Sequence, residues 1–189
     1  MILYIDTCVR SDSRTRRIAS ALLEELGEYE QIRLTDENLS ALNEESLRIR
    51  TELIEKKRWD DPMLRYADQF ANADEIVIAA PFWDYGFPAL LKIYLENIYV
   101  TGLVSRYGED GRPVGLCRAK KLWYVTTAGG PYLPDFSYDY VSVLAKTAFG
   151  IPETELISAQ MLDVDGFDAE TIVEDTIGKL RARLKSESE

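Results

Sequence analysis

Short apolar runs alternate with amphipathic stretches along the whole chain. Residues 1–7 read as a buried strand. Residues 13–26 read as a helix with Ile18, Leu22 and Leu26 on one face and Gly27 at its C-terminal stop. Residues 31–34 form a weak, edge-like strand. Leu39, Leu42, Ser46, Ile49 and Leu53 then follow helical spacing through an acidic segment, the Asp/Glu-rich stretch 36–61, which reads as a solvated helical face. Asp61-Pro62, a capping residue and a first-turn proline, opens a helix that runs to about residue 72. A third strand spans 75–80, and Leu91, Tyr94, Leu95 and Ile98 mark the helix after Pro88. A long connection over about 102–120 leads to a strand at 121–127. A helix at 139–149, a strand at 155–160 and a last helix from Asp168 follow, the last with Val173, Ile177, Leu180 and Leu184 on one face.

Five strands alternating with helices predict a doubly wound α/β domain, a parallel sheet with helices on both faces. No internal repeat or linker divides it, so a single domain is expected over 1–185, with 186–189 a frayed tail.

Composition narrows the chemistry. The 189 residues carry a net charge of −11, which argues against nucleic acid or an anionic membrane as the main partner. The longest uncharged apolar run, 76–83, is far short of the ~20 residues of a membrane span. The N-terminal residues lack a basic region and a cleavage site, which reads as no signal peptide. Cys8 and Cys117 fit neither a disulfide framework nor a zinc pattern, so no metal is expected and a cytoplasmic location is the default. The count of histidines is 0, which removes Ser-His-Asp and Cys-His catalysis and His-ligated metals. An enzyme built this way would place its difficult chemistry on a cofactor.

Three loops follow the first, third and fourth strands, all at the carboxyl edge where an open α/β sheet binds ligands. The first contains Ser11, Ser13 and Thr15 with Arg10, Arg14, Arg16 and Arg17, and no glycine fingerprint. Hydroxyls, guanidinium groups and helix-terminal amides suit a phosphate monoester; the plainer reading is a helix cap with solvated arginines. The second, Pro81-Phe82-Trp83-Asp84-Tyr85-Gly86-Phe87-Pro88, packs four aromatics into six residues. Flat rings there suit a planar heterocycle, or they extend the core. The third, Thr126-Thr127-Ala128-Gly129-Gly130-Pro131-Tyr132, has paired glycines that let backbone approach a ligand or simply turn. Cys8 reads as a small buried residue ending a strand rather than a redox thiol.

With the 105–107 and 115–116 segment (Ser-Arg-Tyr and Gly-Leu), these loops make the chain resemble the flavodoxin-like FMN-dependent NAD(P)H oxidoreductases, the azoreductase and quinone-reductase group. The resemblance covers nearly the whole chain and is most specific over 81–116. It implies a flavodoxin-like sheet of order 2-1-3-4-5 and noncovalent FMN, with Arg10, Ser13, Arg14 and Thr15 at the phosphate. It places Pro81, Phe82, Trp83, Asp84 and Tyr85 along the flavin ring, with Thr127, Ala128, Gly129 and Gly130 at its other edge. It further implies NADH or NADPH as co-substrate, a small-molecule electron acceptor of quinone, azo or nitroaromatic type, and a homodimer whose pockets are completed by the partner. Catalytic candidates are Asp84 and Tyr107, the latter an aromatic of the long connection that covers the flavin or lies in a dimer interface. The chain departs from the family at Asp84, where azoreductases commonly carry Asn, and at Cys8 and Arg10, where serine is usual. A carboxylate at 84 either sits near the flavin and lowers its potential or turns away to cap the following helix. Two other functions share these loops: a flavodoxin-type one-electron carrier and a flavin-binding module without reductase activity.

Overall fold

Five apolar runs pair side by side into one all-parallel sheet in this computed structural model, which describes residues 1–188. In chain order the strands are β1 (Ile2–Asp6), β2 (Tyr29–Arg33), β3 (Glu75–Ala79), β6 (Lys121–Thr127) and β7 (Glu153–Ala159), with β4 (Ser105–Tyr107) and β5 (Pro113–Gly115) outside the sheet. The order is β2-β1-β3-β6-β7, which is the predicted 2-1-3-4-5 once the two outside strands are set apart.

Strand periodicity divides the core into two layers. Leu3, Ile5, Ile76, Ile78, Leu122 and Tyr124 face one way, against α3 (Arg65–Asn72), α4 (Ala89–Ile98) and α5 (Tyr138–Leu144). Tyr4, Val77, Ala79, Trp123, Val125 and Ile157 face the other, against α1 (Arg14–Leu26) and α6 (Ala169–Ser188). Continuous burial of the central strands on both faces is what a parallel sheet needs.

Several boundaries differ from the sequence reading, each for a local reason. The acidic helix, α2 (Glu44–Glu55), begins at Glu44 because Asn43 and Ser46 form a reciprocal capping box, which leaves Leu39 and Leu42 in the preceding loop. No residue of α2 is buried. After Asp61 the chain makes one 3-10 turn, Pro62–Leu64, before α3. The helix expected at 139–149 is α5 followed by a π segment, Ala145–Phe149, that closes on Gly150 at φ 77°. The 102–120 connection is not structureless: β4 and β5 form an antiparallel hairpin there. Asp168 caps α6, accepting from the amides of Glu170 and Thr171, and the helix runs on to Ser188 past the point of expected fraying. Glu189 lies outside the described residues.

Candidate functional site

β1 ends at Asp6, which is fully buried, and residues 7–13 cross the carboxyl edge of the sheet before α1 begins. The Asp6 carboxylate accepts from the Cys8 amide at 2.8 Å and from Arg16 Nε at 2.7 Å. The other Arg16 nitrogens donate to the carbonyls of Cys8, Arg10 and Ser11. Arg16 therefore buckles the loop shut from behind. Arg17 turns away to Glu170 and Glu174 on α6. Of the four arginines, only Arg10 and Arg14 reach the cavity described below.

Ser13 caps α1, its Oγ accepting from the Arg16 amide at 3.3 Å. The Arg14 and Thr15 amides at the first turn have no intrahelical acceptor, and no acidic residue occupies that turn. Thr15 is buried with its hydroxyl 2.6 Å from that of Thr127, which ties the first loop to the third. Burial pushes the Cys8 thiol up to about 12, so it stays protonated and unreactive at neutral pH.

The aromatic loop leaves β3 through buried Pro81, and the Phe82 amide donates to Thr127 O at 2.9 Å. Trp83 and Gly86 exchange backbone hydrogen bonds of 3.1 and 2.8 Å, closing a two-residue turn with Asp84 at φ 50° and Tyr85 at φ 64°. Turns with two left-handed central residues favour Asn-Gly or Asp-Gly, so Asp84 fits its position and Tyr85 is strained. Asp84 does not cap α4, whose N-cap is Pro88 without a side-chain bond; its exposed carboxylate makes no hydrogen bond or ion pair among the described residues. Phe82 stands edge-to-face with Tyr132 at 4.9 Å and with Tyr85 at 6.2 Å. Because Tyr85 is 66% exposed, Tyr85→Gly is expected to stabilise the fold by about 0.5–1 kcal/mol through relief of the left-handed strain, read as a higher denaturation midpoint. A lower midpoint would mean that the Phe82 contact outweighs the strain.

The third loop is stitched to a fourth that the sequence reading did not single out. Ala128 N donates to Ala159 O at 2.9 Å, and Asp163 N to Gly129 O at 2.9 Å. A Cβ on Gly129 would lie 2.5 Å from Asp163 Oδ2, so glycine is what lets the Asp163 side chain lie across this strand end. Gly130 only accepts from the Met161 amide. The signal for the fourth loop was present: Asp163 and an Asp165-Gly166 turn pair directly after the last strand.

These loops enclose an open cavity of about 260 Å³. The first loop contributes Arg10, Ser13, Arg14 and Thr15, the aromatic loop Pro81, Phe82 and Trp83, and the third Thr127, Ala128 and Gly129. Val9, Asp12, Leu162 and Asp163 also line it and were not anticipated. Asp84, Tyr85 and Gly130 adjoin lining residues without facing the cavity. Tyr107 is elsewhere, 71% exposed on the β4–β5 hairpin, which packs beside the π segment.

A family model for the flavodoxin-like fold matches residues 1–184. FMN-dependent NADH:quinone oxidoreductase 2 of Clostridium acetobutylicum is 37% identical over 197 residues, covering 97% of this chain and 98% of that protein. The chain belongs to the flavodoxin-like FMN-dependent NADH:quinone oxidoreductases. A second member, from Coprothermobacter proteolyticus, is 35% identical over 93% of the chain and 94% of its own length. Among solved structures, an azoreductase from Bacillus anthracis superposes with a TM-score of 0.84 at 19% identity, covering 98% of each chain. An FMN-dependent NADH-azoreductase of the same species, in complex with FMN, gives 0.81 at 21%, over 100% of this chain and 99% of that one. At those identities the likeness is one of fold.

The residues of this cavity fit FMN. One end offers unpartnered helix amides, the Ser13 hydroxyl and two guanidinium groups, a donor set for a phosphate. The same cavity is lined by Phe82, Trp83 and the Gly129 backbone, aromatic and main-chain surface for a flat ring.

Proposed function

We propose that the chain is an FMN-dependent NAD(P)H oxidoreductase that delivers two electrons to a quinone-, azo- or nitroaromatic-type acceptor. The observation that carries this reading is the convergence of the phosphate-suited first turn of α1, the aromatic loop and the Gly129 backbone on one cavity. Bound FMN supplies hydride acceptance from the nicotinamide and hydride donation to the acceptor. The protein's part is binding and orientation. Arg10, Arg14, Ser13 and the α1 amides hold the phosphate end, while Phe82 and Trp83 stack on the ring and keep water from its face. Thr15 and Thr127 fix the distance between those two ends through their shared hydrogen bond. With no histidine in the chain, this division of labour requires none.

A homodimer is part of the proposal. A second cavity of about 320 Å³ between α2, α4 and α5, where Leu42, Leu95, Tyr99, Tyr140 and Leu144 form an apolar floor beside the charged Arg50, Lys92 and Glu96, supports it, together with exposed Val143. A monomeric mass by light scattering would overturn that part. The free Cys8 and Cys117 suit a reducing cytoplasm. Among the described residues no helix is long and apolar enough to cross a membrane.

The test is spectroscopic. Protein purified with FMN is expected to form a yellow complex that NADH or NADPH bleaches rapidly under anaerobic conditions. Slow reduction by either nicotinamide, with a one-electron-reduced flavin persisting, would favour a one-electron carrier, and no yellow complex would overturn the reading. Ser13→Ala and Arg14→Ala are each expected to weaken FMN binding by about 1–3 kcal/mol, measured by flavin fluorescence titration. Unchanged affinity in both would remove the first loop from the phosphate site.

A further inference from the structure

The guanidinium groups at the phosphate end are matched by carboxylates. Arg10 and Arg14 line the cavity, and so do Asp12 and Asp163. Asp163 is the more intimate of the two. Its Oδ1 accepts from Arg14 Nη1 at 3.0 Å, and the same guanidinium reaches Leu162 O at 3.4 Å. Its position is built rather than incidental. The Asp163 amide is fastened to Gly129 O at 2.9 Å, and its Oδ2 lies only 2.5 Å from where a Cβ on Gly129 would sit. The fourth loop thus carries a negative charge across the third loop onto the first turn of α1.

We propose that Asp163 sets the affinity of the cavity for phosphorylated flavin by opposing the phosphate. It acts in two ways. It occupies the Arg14 guanidinium that a phosphate would otherwise take, and it adds a like charge at the rim of the same site. Both partners are largely solvent-exposed, with side chains 43% and 73% accessible, so the ion pair itself is weak and yields to a phosphate dianion. The consequence is an FMN site tuned below the strength its arginines would give. This inference rests on the FMN reading of the cavity.

Asp163→Asn removes the charge and keeps the shape that lies on Gly129. FMN is expected to bind the full-length variant about three- to tenfold more tightly than the wild type, by fluorescence titration. Its affinity should fall more steeply with added salt, since an unopposed guanidinium–phosphate attraction is what salt screens. Riboflavin, which lacks the phosphate, should bind both proteins equally. Unchanged or weaker FMN binding in the variant, with normal wild-type binding, would overturn this inference alone. Equal tightening for riboflavin would do the same, since the effect would then not run through the phosphate. Failure of the wild type to bind FMN at all would instead overturn the reading of the cavity, and this inference with it.

Discussion

Arg16→Leu is expected to cost the fold about 3–5 kcal/mol and most of its FMN affinity, although Arg16 does not line the cavity. The Asp6 side chain is 0% exposed and Arg16 only 20%, so this is a buried ion pair at the end of β1, which is flanked by strands on both sides. Removing the cation leaves the carboxylate with the Cys8 amide at 2.8 Å and a long contact to Gln31 at 3.4 Å. An uncompensated buried charge is among the most destabilising results a single substitution produces. Three loop carbonyls, those of Cys8, Arg10 and Ser11, lose their donor in the same step. The loop that presents Ser13 and Arg14 then has nothing holding its path. Denaturant unfolding checks the stability, and flavin titration the affinity. Asp6→Asn in the Arg16→Leu background should recover a substantial part of the lost stability, because the orphaned charge is gone while an acceptor for the Cys8 amide remains. A cost below about 1 kcal/mol for Arg16→Leu would show that water takes the place of the guanidinium and that the pair is not structural.

That buckle also marks the limit of what could be read along the chain. The strands were legible because burial on both faces writes them as unbroken apolar runs, as in 76–80 and 122–125. The meeting of three loops at one edge followed from topology, since parallel strands leave the sheet at the same end. Which arginine does what was not legible. Arg14 and Arg16 sit two residues apart on one helix, and only the three-dimensional placement of Asp6, 10 residues upstream, turns Arg16 inward and away from the cavity. Asp163 was missed for a related reason: its role depends on contact with Arg14, 149 residues away in sequence, across Gly129. The 102–120 segment was misjudged because strands as short as β4 and β5, three residues each, carry too little periodicity to see. The π segment after α5 lies beyond periodicity altogether, since its residues continue a helical apolar pattern through Phe149.

Gly115→Ala is expected to destabilise the protein by about 3 kcal/mol while leaving FMN affinity nearly intact in the fraction that remains folded. The hairpin seats β5 directly on the backbone where the π segment ends. A Cβ on Gly115 would lie 2.1 Å from Gly150 N, 2.1 Å from Phe149 C and 2.3 Å from Phe149 O. These are backbone atoms, so no rotamer change relieves the overlap. Gly150 cannot give way, since it holds a left-handed φ of 77° and its own Cβ position is 3.0 Å from Gly115 Cα. The hairpin must therefore lift, which strains the Cys117 amide bond to Phe149 O at 3.2 Å and the Leu116 amide bond to Val104 O at 2.9 Å. Phe149 stands in the core, edge-to-face with Phe70 at 5.0 Å, so movement at its carbonyl is felt in the packing. None of these groups lines the cavity, which is why cofactor affinity and stability should part company here and fall together in Arg16→Leu. Paired denaturation and flavin titration of the two variants separate the cases. Loss of FMN binding in folded Gly115→Ala protein would mean that the hairpin supports the cavity through the α5 layer, and that the site extends further into the fold than its four loops.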